Sequence, residues 1–208
     1  MIPAPIPTDD ERRLLALREM PILDTPPEER FDRVVRFAAD EFDMPIVLVS
    51  LIDANRQWFK ARVGLDVCET GRESSFCGHA IARPQVMVVE DTHVDERFHD
   101  NPLVLGAPRI RFYAGATLQL PGGAIIGTLC MIDRQPRTLD AMDLAIFGSL
   151  RDLVVGEIVP MAVMRPAAAR RWRCAGRSWT CAGCCCGRSR SRACWTPSWP
   201  CAGRLPCL

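Results

Sequence analysis

The chain has 208 residues, 48% of them hydrophobic, with a mean hydropathy of +0.02, enough for one globular domain plus extensions. No window approaches the roughly 18 apolar residues of a membrane span, and the opening MIPAPIPTDDERR lacks a basic region followed by an apolar run, so neither an anchor nor a signal peptide is expected and a cytoplasmic address follows. The net charge of +1 hides a split: residues 1–164 hold 17 bases against 25 acids, a balance of −8, while the last 44 residues hold nine Arg and no acid; an acidic body argues against nucleic-acid binding.

Thr8-Asp9-Asp10-Glu11 reads as a capping box that opens a short helix to about Met20, stopped by Pro21. Thr25-Pro26-Pro27-Glu28 repeats the device, with Pro at the first helical position, and Phe31, Val34, Val35, Ala38 and Phe42 then recur at helical spacing. Ile46–Ile52 (IVLVSLI) predicts a central strand. Asp53-Ala54-Asn55-Arg56 is a turn, and Gln57–Val63 is the hairpin partner. Ser74 or Ser75 caps a short helix through Ala82, and Val86–Val89 is a third strand. Asp91–Asn101 is a polar helical or looped crossover ended by Pro102. Arg109–Leu120 and Ala124–Ile132 form a hairpin about Pro121-Gly122-Gly123, and Thr138 caps a last helix with Leu144, Phe147, Leu150, Val154 and Ile158 on one stripe. This order predicts an α+β sandwich: an antiparallel sheet between terminal helices and a layer of short helices and loops. The division is 1–25 helix and linker, 26–160 domain, and 161–208 tail.

The tail is compositionally foreign to the body. Eight of the eleven cysteines fall between Cys174 and Cys207; only Cys68, Cys77 and Cys130 precede them. A zinc site would show spaced pairs, but Cys184-Cys185-Cys186 is contiguous and no His lies in the tail. A basic disordered tail is a second reading. The third, favoured reading is a shifted frame. In a GC-rich gene, Cys and Trp codons preceded by C read as Leu one nucleotide earlier. Positions 172, 174, 179, 181, 184, 185 and 186 then become Leu and spell an Arg/Leu-rich amphipathic helix. The frame change falls between about residues 158 and 171, and an output domain would be lost with it.

The candidate site residues lie between 58 and 130. In SFCGHAI, Cys77 sits near a helix start, where the helix dipole favours a thiolate; two residues apart, Cys77 and His79 point to different helix faces. Cys77 otherwise reads as a small buried hydrophobe, and His79 as a partner of a neighbouring strand, with Phe76 beside them. Alternation in GTLCMID puts Thr128, Cys130 and Ile132 on one sheet face and Leu129 and Met131 on the other. Asp91, Asp95, Glu96, Arg97, His99, Asp100 and Asn101 crowd one connector. The pairs His93/Arg97 and Asp95/His99 sit one helical turn apart. A metal would favour such ligands, while a solvated, self-capped crossover, with Arg97 on an acid, Phe98 buried and Asn101 capping, explains the same residues and is preferred. Arg109, Arg111 and Tyr113 alternate on one strand face, which suits an anionic ligand or salt bridges to the acidic connector. Trp58 lines a pocket or covers the sheet edge. The ligand-binding candidates are thus Trp58, Phe76, Cys77, His79, Asp91, Asp95, Arg97, Arg111, Tyr113, Thr128 and Cys130; no residue is assigned a catalytic or metal-binding role, and the cofactor is unknown.

The words ILDTPPEERFD, VSLIDANRQWFKARVGL, ETGRESSFCGHAI, DERFHDNPLV, IRFYAG and GTLCMIDRQPR, in order over about residues 10–158, resemble a GAF domain. The resemblance is to the bacterial subgroup found ahead of histidine kinases and diguanylate cyclases. It implies a cytoplasmic sensory module of two-component or cyclic di-GMP signalling. Such a module binds a small molecule between the sheet and the connector layer, dimerises through its terminal helices and controls an output domain. No GGDEF segment, kinase phosphoacceptor box or ATP lid is present, and no NKFDE-type cyclic-nucleotide signature, chromophore attachment site or axial haem His is matched. The alternative from another class is a free methionine-(R)-sulfoxide reductase, itself a GAF domain, with Cys68 and Cys77 as its thiols; DTHVDERFHDN lacks the further cysteine that such reductases place there.

Overall fold

The computed structural model describes residues 1–84 and 86–163, with backbone alone for 161–163; beyond those three residues the expected 161–208 tail lies outside the described residues. In chain order the elements are α1 (Asp10–Glu19), α2 (Glu29–Glu41), β1 (Ile46–Ile52), β2 (Arg56–Val63), β3 (Glu69–Gly71), α3 (Phe76–Ala80), β4 (Met87–Val89), α4 (Pro102–Leu105), β5 (Phe112–Gln119), β6 (Ile125–Asp133) and α5 (Ala141–Val163). One antiparallel sheet carries all six strands in the order β3-β2-β1-β6-β5-β4.

The sheet has a core on each face because its strand residues alternate. Val47, Val49, Leu51, Trp58, Phe112, Ala114, Leu129 and Met131 point to the helix side, where they meet Phe31, Val34 and Val35 of α2 and Phe147, Val154 and Ile158 of α5. Ile46, Leu48, Ile52, Phe59, Tyr113, Cys130 and Ile132 point the other way, toward α3 and the connectors. All seven residues of β1 are buried, as befits a strand covered on both faces. At the β1–β6 seam, a Cβ on Gly127 would stand 2.0 Å from the carbonyl oxygen of Ser50, so the two backbones approach as closely as only glycine allows. Among the described residues no helix is long and apolar enough to cross a membrane.

The helix starts differ from the sequence expectation. α1 begins at Asp10 behind Asp9, with no side-chain cap, so Thr8 forms no capping box. α2 begins two residues past Pro27, also without a side-chain cap. Thr25 is used elsewhere: its Oγ1 donates to the Ile22 carbonyl (2.6 Å) and accepts from the Lys60 ammonium (2.7 Å). Lys60, fully buried on β2, also donates to the Pro26 carbonyl (2.8 Å) and pairs with Glu28 (2.5 Å), and so fastens the Thr25–Glu28 loop to the sheet. α5 is capped by Asp140, whose Oδ1 accepts from the amides of Met142 and Asp143 while Asp143 answers the Asp140 amide, and not by Thr138. β3 and α4 were not foreseen. Pro102 opens α4, with the Asn101 side chain accepting from the Leu103 amide (2.8 Å).

Candidate functional site

The connector face is built around α3. The Ser75 hydroxyl accepts from the Gly78 amide (2.7 Å), which starts the helix with Phe76 and Cys77 turned to the sheet. The Asn101 amide nitrogen donates to the Ser74 carbonyl (3.0 Å) and joins the crossover to that start. Phe76 of α3 stacks on Phe98 of the crossover (centroids 4.1 Å apart, planes at 17°) and leans on Tyr113 of β5 at 5.2 Å. The two segments therefore cover the same face, as expected, but the hollow between them and the sheet is filled by these three rings.

Beneath the rings lies a small, buried polar cluster. Cys77 and Cys130 bring their sulfurs to 3.6 Å, and the Tyr113 phenol donates to Cys77 Sγ over 3.3 Å. Ser50 and Thr128, facing each other across the β1–β6 seam, are fully buried, and their hydroxyls have no hydrogen-bond partner of ordinary geometry. An unmet buried hydroxyl costs about 1–3 kcal/mol, so apolar packing does not explain the pair. Burial pushes the Cys77 thiol up, but hydrogen bonding with Cys130 and Tyr113 outweighs it, and the net direction for Cys77 is down. Cys130 moves well up, as the donor to Cys77 and by burial, and burial beside the two sulfurs raises Tyr113.

The charged candidates form ion pairs at the rim. Arg111 grips Asp91 with two bonds (2.9 and 2.6 Å) and, with the His93 amide, holds that carboxyl down at about 2. Arg97 grips Asp95 in the same way (2.9 and 2.6 Å) and lies over the Phe98 ring. Arg97 thus sits on an acid, as the self-capped crossover has it, with its partner Asp95 only two residues away. Arg109 lies outside β5, with φ +64°, and the three-residue alternation does not hold, since β5 starts at Phe112. The Asp91–Arg111 pair is half-exposed, so replacing Asp91 with Asn is expected to cost no more than about 1 kcal/mol. Urea unfolding at neutral pH checks this.

Trp58 belongs to the helix-side core, away from the other candidates; its neighbour Phe59 is the residue that faces α3. His79 Nε2 lies 3.1 Å from the Ile2 carbonyl of the N-terminal segment and not on a strand. Burial sets this imidazole below its ordinary value, more than the Ile2 carbonyl raises it. Ala4 donates its amide to the Glu73 carbonyl (3.0 Å), so residues 2–5 run across α3. Beside α3 and β4 they border an open cleft of about 430 Å³, lined by Pro5, His79, Arg83, Met87 and Arg97 among others. Pro5, Arg83 and Met87 were not foreseen, because their partners are remote in sequence. Ser50 was legible as the only hydroxyl in the apolar run IVLVSLI.

A family model described as GAF domain matches residues 26–158. The chain belongs to the GAF family. This GAF chain is 42% identical over 159 residues to a cyclic di-GMP phosphodiesterase of Pseudomonas aeruginosa; the match covers 76% of the chain and 27% of that enzyme, so the chain spans about a quarter of its relative. Among solved structures it resembles the GAF domain of a phosphoenolpyruvate-protein phosphotransferase from Acinetobacter (TM-score 0.53, 17% identity, 74% of this chain and 94% of that one). It also resembles a type II free methionine-R-sulfoxide reductase from Thermoplasma acidophilum (TM-score 0.52, 14% identity, 64% and 89%). These two likenesses establish the α+β GAF fold; at such identities they do not carry an activity across.

Proposed function

We propose that this GAF domain is a non-catalytic regulatory module of bacterial signal transduction, tied to cyclic di-GMP turnover and controlling an output domain outside the described residues. The observation that carries this reading is the 42% identity with a segment of the phosphodiesterase, since so long a match is to the module and not to isolated motifs. The small molecule it reads is taken up in the cleft beside α3 and β4, not beneath the rings. Arg83 is exposed at that cleft and Arg97 adds a second guanidinium, so an anionic ligand suits it. Dimerisation through the terminal helices is part of the same reading: Phe37 of α2 and Met142 and Leu153 of α5 are large apolar side chains left exposed on those helices.

The reductase reading has less support. Cys77 faces Cys130 under three rings and lines none of the clefts described, so an amino-acid sulfoxide, much larger than hydrogen peroxide, lacks the open approach it needs.

Native mass spectrometry of the full chain purified from its own host tests the proposal. A dimer mass carrying a retained small anion is expected, and Arg83→Glu should lose the retained mass while staying dimeric. A bare monomer would overturn both the ligand and the dimer parts.

A further inference from the structure

We propose that Cys77 and Cys130 form a peroxide-responsive pair that closes into an intramolecular disulfide, making this face of the sheet a covalent modification site. The inference does not depend on the ligand reading above. It rests on three features of the cluster. The sulfurs are already 3.6 Å apart, so a bond of about 2.05 Å needs a closure of about 1.5 Å. The phenol of Tyr113 donates to Cys77 Sγ, and the buried hydroxyls of Ser50 and Thr128, on the same sheet face, have no hydrogen-bond partner. A phenol donating to this buried sulfur, with two unspent hydroxyls on the same face, makes a poor setting for a neutral thiol, itself a weak acceptor, and a fitting one for a thiolate or for the oxygen of a sulfenic acid. The Tyr113 phenol donates to Cys77, which gives Cys77 the attacking role and leaves Cys130 the resolving one.

The chemistry balances with hydrogen peroxide as the oxidant. The Cys77 thiolate attacks one peroxide oxygen. The O–O bond breaks, a sulfenic acid forms on Cys77, and the departing hydroxide leaves as water with one proton. Cys130 Sγ then attacks the Cys77 sulfur. The S–S bond forms, the S–O bond breaks, and hydroxide leaves with the Cys130 proton as water. Two thiols lose two electrons, and the peroxide gains two. Because Cys77 sits on α3 and Cys130 on the central strand β6, closure draws α3 toward the sheet and moves His79, at the edge of the cleft, with it.

The test is a peptide map of the full chain treated with hydrogen peroxide, unfolded in denaturant with an alkylating agent and digested with trypsin. Cleavage after Arg62, Arg72, Arg97, Arg111 and Arg134 isolates Cys77 in peptide 73–97, Cys130 in peptide 112–134 and Cys68 in peptide 63–72. The expected result is a linked 73–97/112–134 species that forms before Cys68 is oxidised and disappears with dithiothreitol. In Cys130→Ser, Cys77 should instead yield a dimedone adduct. The proposal is overturned if Cys77 and Cys130 both remain alkylated after the half-exposed Cys68 has been consumed, or if Cys77 is linked to any other cysteine.

Discussion

Replacing Asp10 with alanine is expected to lower the free energy of unfolding by about 3–5 kcal/mol, the usual penalty for stranding a buried charge. Arg13, 1% exposed, gives Nε to Asp10 (2.9 Å) and one terminal nitrogen to the Ile52 carbonyl (2.5 Å), and its other terminal nitrogen is buried without a partner. Arg72 closes on the same carboxylate with two bonds of 2.9 and 2.8 Å. One carboxylate therefore neutralises two guanidinium groups and ties α1 to the β1–β2 turn and to the segment ahead of α3. Burial alone would raise the Asp10 pKa; the bonds to Arg72 and Arg13 overcome it, and the net direction is down. The stabilisation is thus complete above the ordinary carboxylate range and is lost as pH falls through the lower, folded value. Urea unfolding of both proteins across the acid range should show the gap between them shrinking as pH drops. A gap that stays constant into strong acid, or a loss below about 1 kcal/mol at neutral pH, would contradict the assignment.

Phe98→Ala should cost a similar amount, about 3–5 kcal/mol, because the ring is wholly buried and its removal leaves a cavity the rigid sheet cannot close. The ring is held on three sides: it stacks on Phe76, takes the His79 imidazole edge-on at 4.8 Å, and lies under the Arg97 guanidinium at 4.9 Å. Its loss also uncovers the thiols. Alkylation of native protein should be faster at Cys77 in Phe98→Ala than in the parent, read at peptide 73–97. Equal rates would mean that the rings are not what shields the cluster.

Much of this arrangement is legible in the chain because it rests on periodicity. The IVLVSLI run, the helical stripe from Phe31 to Phe42 and the stripe from Leu144 to Ile158 each announce their element, and the alternation in GTLCMID assigns Cys130 and Leu129 to opposite faces, as found. What periodicity does not carry is how a polar side chain is spent when it has several uses. Thr25 reads as a cap, yet Lys60, remote in sequence, claims its oxygen. β3 is three residues long and too short to show a pattern. Trp58 and Phe59 are equally bulky, and only the pairing of Trp58 with Leu51 decides which of them faces the helices. The filling of the hollow was out of reach for the same reason. Phe76, Phe98 and Tyr113 come from three separate elements, and their mutual stacking is a property of the assembled layers. The ion pairs of Arg97 and Arg111 were anticipated as salt bridges to the acidic connector, and the short spacing from Asp95 to Arg97 shows a tight turn where a helix was one of the options.

The seam between β1 and β6 sets a condition on synthesis. Leu48 is paired with Cys130, so a nascent chain must emerge through Asp133 before the two halves of the sheet can join. Until then the ribosome presents β1 with an unpaired backbone edge and side chains that are apolar but for Ser50, the geometry that invites pairing with another nascent chain. Contacts this distant in sequence also slow the search for the native state. Translation that stalls between the two hairpins would therefore leave material prone to aggregate, and the cell's holding chaperones would meet this protein chiefly in that interval.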